Sequence, residues 1–514
     1  MPTISQDGPP DLRLPRVPTI TEPFHAFDSQ YPWVYQALKQ LVEHNYTALY
    51  ARRLLAAHPE WASTIHRGPP PAQPVNGSTQ PSSTPELSRS LFLSDRPVVL
   101  VVAAADMEAE GYRGYCLESV AADYDVVLIT DEEPSWEVPY IRDCMVVPDP
   151  TDQAALSAAG RYLAERHDLA GVFTWTEWYL VPVARLARQL GLPTTASEVM
   201  QACRNKATAR SLFARHGVPS AASVSVRTLH EARAAAERIG YPVVLKPAAH
   251  AASIGVIRVD NPGQLTAAYP FADRAAGLGL ESTDVLVEEY LDGPEISAEC
   301  VTYRGETTVV AVTRKTVSDP PYFEELAHSV DAADPLLAQV APAARAAIRA
   351  LGITDGVSHV EMRLVGEQPR LVEVNGRLAG DMIGHLVRLA TGIDLPCAAA
   401  DIACDRAPDL TPTRSSAAAI RLIYPDTSGI LTRLRLDGPR PQWLERAHFQ
   451  HRPGDELVLP GDGGDMFTAR IGYVITTAPT ADLAQSRAEQ AVRALGIQIS
   501  PRAAGETSRS GLNA

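Results

Sequence analysis

From residue 97 the chain alternates apolar runs with amphipathic stretches. PVVLVVAAAD is apolar throughout and rich in β-branched residues, which at this length predicts a buried strand. A helical stretch follows, then YDVVLIT, CMVVPDP and a helix over 152–166, and LAGVFTWTE with a helix over 179–190 completes the series. Such β/α alternation predicts a parallel, doubly wound sheet. Its first turn lacks G-x-G-x-x-G, so a dinucleotide is not indicated. Further on the pattern changes. NKATARSLFARHGVP (205–219) reads as a helix stopped by Gly217 and Pro219. YPVVLKP (241–247) reads as a strand, and HAASIGV as a small-residue loop before a return strand. Residues 284–317 read as strands turned at Asp292–Pro294 and Arg304–Gly305. A helix covers 335–351, residues 356–377 form a hairpin turned at Gly366–Pro369, and 415–500 mix helix and strand.

Before residue 96 the pattern is poorer. Residues 1–22 are extended and Pro-rich, and 31–59 carry apolar positions at helical spacing, predicting two short helices. HRGPPPAQPVNGSTQPSSTPELS cannot bury a core and reads as a linker. The domain reading is therefore a helical appendage at 1–65, a linker at 66–95, a doubly wound unit at 96–200, further α/β units over 201–285, 286–412 and 413–500, and a frayed tail at 501–514.

Composition changes this picture little. Hydrophobic content of 45% and charged content of 21% are ordinary for a soluble globular protein. A net charge of −15 argues against a sequence-independent grip on nucleic acid or an anionic membrane. It leaves room for a local basic pocket. No signal-peptide pattern or membrane-length apolar run is present, and the six scattered cysteines include no C-x-x-C. A cytoplasmic protein with reduced thiols is expected.

The chemistry sits on strands. In LVEVNGR (371–377), Glu373, Asn375 and Arg377 fall on alternate positions, so a strand would show an acid, an amide and a guanidinium on one face. In SHVEMRL, His359, Glu361 and Arg363 do the same. Pairing the two strands sets Glu361 and Glu373 on one wall. Two carboxylates with Asn375 are hard oxygen ligands suited to Mg²⁺ shared with a phosphate, and Arg377 would face a phosphoryl oxygen or an oxyanion. The alternative is a solvated strand face. Lys246 closes an apolar strand ahead of the small-residue loop and suits a phosphate, although taken alone it reads rather as an ordinary strand-end lysine. LVEEYLDGPEIS (286–297) could set backbone groups at an adenine edge and Glu295 at ribose hydroxyls; acids flanking a surface turn are the alternative. Lys315, Glu325 and His328 would line the same cleft.

In order and spacing these segments resemble the ATP-grasp superfamily, in the carboxylate–amine ligase branch that includes bacterial L-amino acid ligases. The likeness runs through Lys206 in NKATAR, Lys246 in VVLKP, SIGV at 253–256, VEEYLDGPE at 287–295, HVEMRL at 359–364 and LVEVNGR at 371–377. It implies an α/β ATP-grasp fold with a Rossmann-like N-terminal domain, here preceded by the short helical appendage. ATP would lie between a small subdomain at 201–285 and a larger one from 286. The resemblance assigns Lys206, Lys246, Ser253 and Gly255 to the phosphates, the segment Glu288, Glu289, Tyr290 and Leu291 to adenine, and Glu295 to ribose. It gives Glu361, Glu373 and Asn375 two Mg²⁺ ions, with Mn²⁺ as a substitute. Arg377, with Glu325 and His328, would act on the reacting groups, and Glu177, Lys315 and Gly380 would line the substrate. Two departures stand out: the loop AAHAASIGV is poor in glycine and carries His250, and the appendage has no counterpart.

The implied reaction joins a small acid or amino acid to an amine through an acyl phosphate, releasing ADP and phosphate, in a homodimer of the kind relatives form. Small-molecule acids and amines are thus the partners, with no nucleic acid and no membrane, and a place in antibiotic biosynthesis follows the family's habits. A purine-pathway or carboxylase-type ligase is the alternative enzyme, although no A-M-K-M biotin-carrier segment is present. A catalytically silent nucleotide-binding scaffold is the alternative of another class.

Overall fold

The computed structural model describes residues 96–105, 110–250, 253–277, 281–436, 438–459, 462 and 469–501. The extended segment at 1–22, the helices predicted over 31–59, the linker at 66–95 and the tail from 502 lie outside these residues. Among the described residues no helix is long and apolar enough to cross a membrane.

The apolar run near residue 98 becomes β1 (Val98–Val102), buried along its whole length. With β2 (Asp125–Thr130), β3 (Ile141–Val146) and β4 (Leu169–Phe173) it forms a four-stranded sheet in the order β3-β2-β1-β4, every pair parallel. A second, antiparallel sheet combines β5 (Ser223–Val226), β6 (Val243–Pro247), β7 (Ile257–Val259) and β8 (Val285–Glu289) in the order β5-β8-β6-β7. Two alanine-rich helices, Leu229–Ile239 and Pro262–Ala276, cover it through Ala232, Ala236, Leu265 and Ala272.

The largest sheet is antiparallel throughout. It contains β9 (Glu295–Tyr303), β10 (Glu306–Val317), β11 (Glu325–Asp331), β12 (Gly356–Val365), β13 (Gln368–Asn375), β14 (Ala417–Ile423), β16 (Leu444–Phe449) and β18 (Gly472–Ala478). Their order is β13-β12-β9-β10-β11-β14-β18-β16. A small sheet of β15 (Gly429–Arg433), β17 (Glu456–Leu457) and β19 (Gln498–Pro501) completes the C-terminal part.

Strand parity splits the large sheet into two unlike faces. Ile296, Ala298, Cys300, Val312, Val360, Met362 and Val374 pack with the helix Leu336–Leu351 and with Ala202, Ala209 and Phe213. The alternate positions form the other face: Glu295, Ser297 and Glu299 on β9, Thr313 and Lys315 on β10, His359, Glu361 and Arg363 on β12, and Glu373 and Asn375 on β13. Here the ladder sets Glu361 opposite Glu373 and His359 opposite Asn375. A polar face spanning adjacent strands of one sheet is costly to bury unless its groups satisfy one another. Most do, while Glu325 Oε2 and His328 Nδ1 find no partner among the described residues.

Candidate active site

On the polar face each carboxylate meets a cation. The Lys315 side chain, only 3% exposed, sets its ammonium 2.6 Å from Glu325, 2.7 Å from Glu361 and 3.4 Å from Glu295. Burial opposes the charge on Lys315, but these three carboxylates outweigh it and hold the ammonium well above its ordinary range. His359 Nδ1 lies 2.9 Å from Glu299 and its Nε2 3.1 Å from Glu361. Despite burial, Glu299 and Glu361 bring this imidazole up to about 9, so it stands as a cation. Burial would raise Glu361, but Lys315 and His359 hold it well below the carboxylate range.

A bulge fits β11 into this face. Glu325 and His328 are three apart, which in a regular strand places them on opposite sides. The register shifts between Thr316 and Val317, pairing Val317 with Glu325, Thr316 with Ala327 and Lys315 with His328. The extra residue, Leu326, returns both side chains to the face of Lys315, with His328 Nε2 3.9 Å from Glu325. Burial pushes Glu325 upward while Lys315 and His328 pull it down; the net direction is up.

The phosphate-side residues come together beside this face. Asn205 caps the helix Lys206–Arg215 by accepting from the Thr208 N–H, which fixes Lys206 in the first helical turn. Lys206 Nζ sits 3.0 Å from Glu373 and also donates to the His250 carbonyl. Lys246, the last residue but one of β6, has its ammonium 2.6 Å from Glu288, whose other oxygen lies 2.8 Å from Arg210. Burial draws Lys246 below the usual lysine range, with Glu288 opposing. Burial would likewise raise Glu288, but Arg210 and Lys246 bring it down to about 2. In the loop, Ser253 and Gly255 adopt φ of 54° and 76°; residues 251 and 252 lie outside the described residues.

The predicted adenine segment divides. The Glu289 carboxylate turns to Arg370 at 2.6 Å, while the Leu291 carbonyl accepts from Arg363 at 3.3 Å. Tyr290 stacks on Phe323 at 6.3 Å, with Arg258 4.2 Å over its ring. Glu295 is shared by Arg363 at 2.9 Å and Lys315.

Arg377 pairs through Nε with Glu177, and Glu177 also meets Arg204 at 2.7 Å. Burial works against charge on Glu177, yet Arg377 and Arg204 bring it down to about 2. Arg204 grips Glu281 at 2.8 Å and lies 4.6 Å over the Trp178 ring. Gly380 is a close approach: a Cβ there would sit 2.8 Å from the Tyr112 hydroxyl. Next to it, Asp381 joins His328, Arg470 and Tyr112.

Comparison with known proteins adds to this geometry. Residues 120–194 match the ATP-grasp N-terminal domain, 239–385 the ATP-grasp domain and 421–500 the L-amino acid ligase C-terminal domain 2. The Sinorhizobium fredii protein y4rH, itself uncharacterised, is 30% identical over 69% of this chain and 73% of its own. The chain belongs to the ATP-grasp family of ligases. Alanine–anticapsin ligase of Bacillus subtilis is 27% identical over 47% of this chain and 55% of its own, so the chain spans about half of that relative. The crystal structure of an L-amino acid ligase from Bacillus licheniformis covers 79% of this chain and 100% of its own with a TM-score of 0.67. At 22% identity that likeness is one of fold. The fold is α/β ATP-grasp.

For an ATP-grasp ligase the donor set suits a divalent cation. Glu361, Glu373 and Asn375 supply hard oxygens from paired strands, and the two carboxylates already meet the ammonium groups of Lys315 and Lys206. Several groups in this ligase were not singled out by the sequence reading. Alternation in EISAEC would have pointed to Glu299 beside Glu295. Arg210, Arg204, Phe323, Asp381 and Arg470 carry no local signal, because each meets its partner across a long stretch of chain, and the local pairing of Arg258 with Asp260 gives no hint of its place over Tyr290.

Proposed function

We propose that the protein joins the carboxyl group of a small acid or amino acid to an amine, consuming ATP and releasing ADP and phosphate through an acyl phosphate. The reading is carried by one observation: Glu361 and Glu373 face each other in the ladder, with Lys206 beside Glu373 and the Lys315–Glu325–His328 group beside Glu361. That arrangement suits phosphate charge at one end and a reacting acyl group at the other. The family descriptions of L-amino acid ligases support the amide-forming direction.

In this reading Lys206 and Lys246 take nucleotide phosphate oxygens, and the Tyr290–Leu291 segment flanks the base. Mg²⁺ bound at Glu361, Glu373 and Asn375 would supply charge neutralisation on the transferred phosphoryl group. Arg377, released from Glu177 or shared with it, faces the oxyanion of the tetrahedral intermediate, a role typically worth about 10²–10³ in rate.

Incubation with Mg-ATP and pools of amino acids, scoring ADP, phosphate and product mass, tests the reading. ADP and phosphate with a condensed product are expected; AMP and pyrophosphate would refute the acyl-phosphate route, and no nucleotide turnover would favour a silent scaffold. Glu373→Ala should abolish turnover with the circular dichroism spectrum unchanged.

A further inference from the structure

Asp381 holds an expensive position. It and Met382 adopt φ of 45° and 60°, left-handed backbone that strains non-glycine residues. The backbone there is fixed by the Asp381 N–H donating to the Tyr112 hydroxyl. The result is a carboxylate aimed two ways. Oδ2 lies 3.3 Å from His328 Nε2, and Oδ1 accepts from Arg470 at 2.9 Å. Arg470 also donates from Nε to the Tyr424 hydroxyl at 3.1 Å, and that hydroxyl donates to the Glu325 carbonyl at 3.0 Å. Arg470 and Tyr424 belong to the C-terminal segment, so groups from that segment close on Asp381 and on the Glu325 backbone, on either side of His328's contacts.

His328 is 1% exposed, and its Nδ1 finds no partner among the described residues. A buried nitrogen without a partner has given up its hydrogen bond to water with nothing in return. Its surroundings are mixed in charge. Lys315 faces it from β10, Glu325 from its own strand and Asp381 with Arg470 from the far side, with the Tyr112 and Tyr424 hydroxyls next to these; on β14 its ladder partner is the apolar Ile420, with Arg421 one position on. Burial would raise Asp381, but Arg470 and His328 keep it far below the carboxylate range. An ionised Asp381 can only accept, so a neutral His328 bonded to it carries its one proton on Nε2.

We infer that Asp381, held by Arg470, is the positioning residue that keeps the His328 proton on Nε2, leaving Nδ1 as the base that deprotonates the incoming amine. This rests on the ligase reading above and deepens it: the second substrate is an ordinary alkylamine or amino acid, which arrives as an ammonium ion. One ammonium proton passes to Nδ1. The freed lone pair attacks the acyl carbon, forming the C–N bond as the C–O bond to phosphate breaks. A second N–H proton leaves with the phosphate, and His328 returns its own to solvent. The 3.3 Å separation is long for a hydrogen bond, as catalytic ones often are before substrate binds.

The test uses a nucleophile that needs no base. Hydroxylamine is largely unprotonated at neutral pH and traps an acyl phosphate as the hydroxamate. Wild type and Asp381→Asn are each supplied with Mg-ATP and a mixture of the twenty L-amino acids, with and without hydroxylamine, and amide and hydroxamate are measured. An asparagine amide donates to Nε2 and drives the proton onto Nδ1, the change that costs about 10⁴ in the Asp-to-Asn variant of a serine-protease triad. The amide-to-hydroxamate ratio is therefore expected to fall by about 10²–10⁴. An unchanged ratio, whether both products fall together or neither falls, overturns the inference, because an oxyanion-stabilising or purely structural role moves both alike. Arg470→Gln, which leaves Asp381 in place, is read for the same split should Asp381→Asn not fold. A wild type that makes neither ADP nor hydroxamate overturns the ligase reading itself.

Discussion

Glu288 and Glu177 show how single carboxylates hold the cleft together. Each is buried between two cations, Lys246 and Arg210 for Glu288, Arg377 and Arg204 for Glu177. Each is brought from an ordinary 4.5 down to about 2. A depressed folded-state value means that the stabilisation is fully present above pH about 4.5 and is lost as pH falls towards 2. Unfolding free energy measured across that window should drop steeply. Glu288→Gln should flatten the slope and cost roughly 3–5 kcal/mol at neutral pH, since it strands two buried cations; an unaltered acid profile would show that the pairs do not persist in solution.

At the scale of elements, function depends on where a strand or helix begins and on single extra residues. Asn205 caps the helix that starts at Lys206. Asn205→Ala should lower stability by about 1 kcal/mol and, by fraying the turn that fixes Lys206, raise the KM for ATP more than it lowers kcat; thermal melts and nucleotide titrations check the two effects separately. The paired strands that carry Glu361 and Glu373 were legible because a two-residue period is visible along seven letters of sequence. The bulge at Leu326 was not, because nothing local distinguishes Glu-x-x-His on a bulged strand from the same letters on a regular one. The difference is made by β10, which sets the register from outside.

For the whole molecule, the fold class was readable from strand–helix alternation and from the order of weak motifs, each of which constrains the next. What could not be read is where the motifs' partners come from. Glu177 follows β4 of the parallel sheet, Arg204 lies in the helix Ser197–Arg204, Glu281 precedes β8 and Arg377 follows β13, yet they form one chain of ion pairs. Long-range contacts of this kind leave no periodic trace. Because ATP and Mg²⁺ would be gripped by both the small antiparallel sheet and the large one, their binding should tie the two together. With Mg-ATP at a hundred times its Kd the protein should gain about 2.7 kcal/mol, seen as a higher Tm, and EDTA should remove most of the gain; an unchanged Tm with nucleotide would count against the cleft as the binding site.

The uninterrupted run from β11 through β14 and β18 to β16 has a practical consequence for anyone trimming or shuffling this enzyme. A protein cut after residue 412 would keep every carboxylate of the polar face, yet leave the backbone of β11 as a raw sheet edge, a template for sticking to other copies. It would also lose Arg470 and Tyr424 in the same stroke. Exchanging C-terminal parts between relatives is thus no cosmetic graft: the recipient inherits its donor's grip on Asp381 and, through it, on His328, for better or worse.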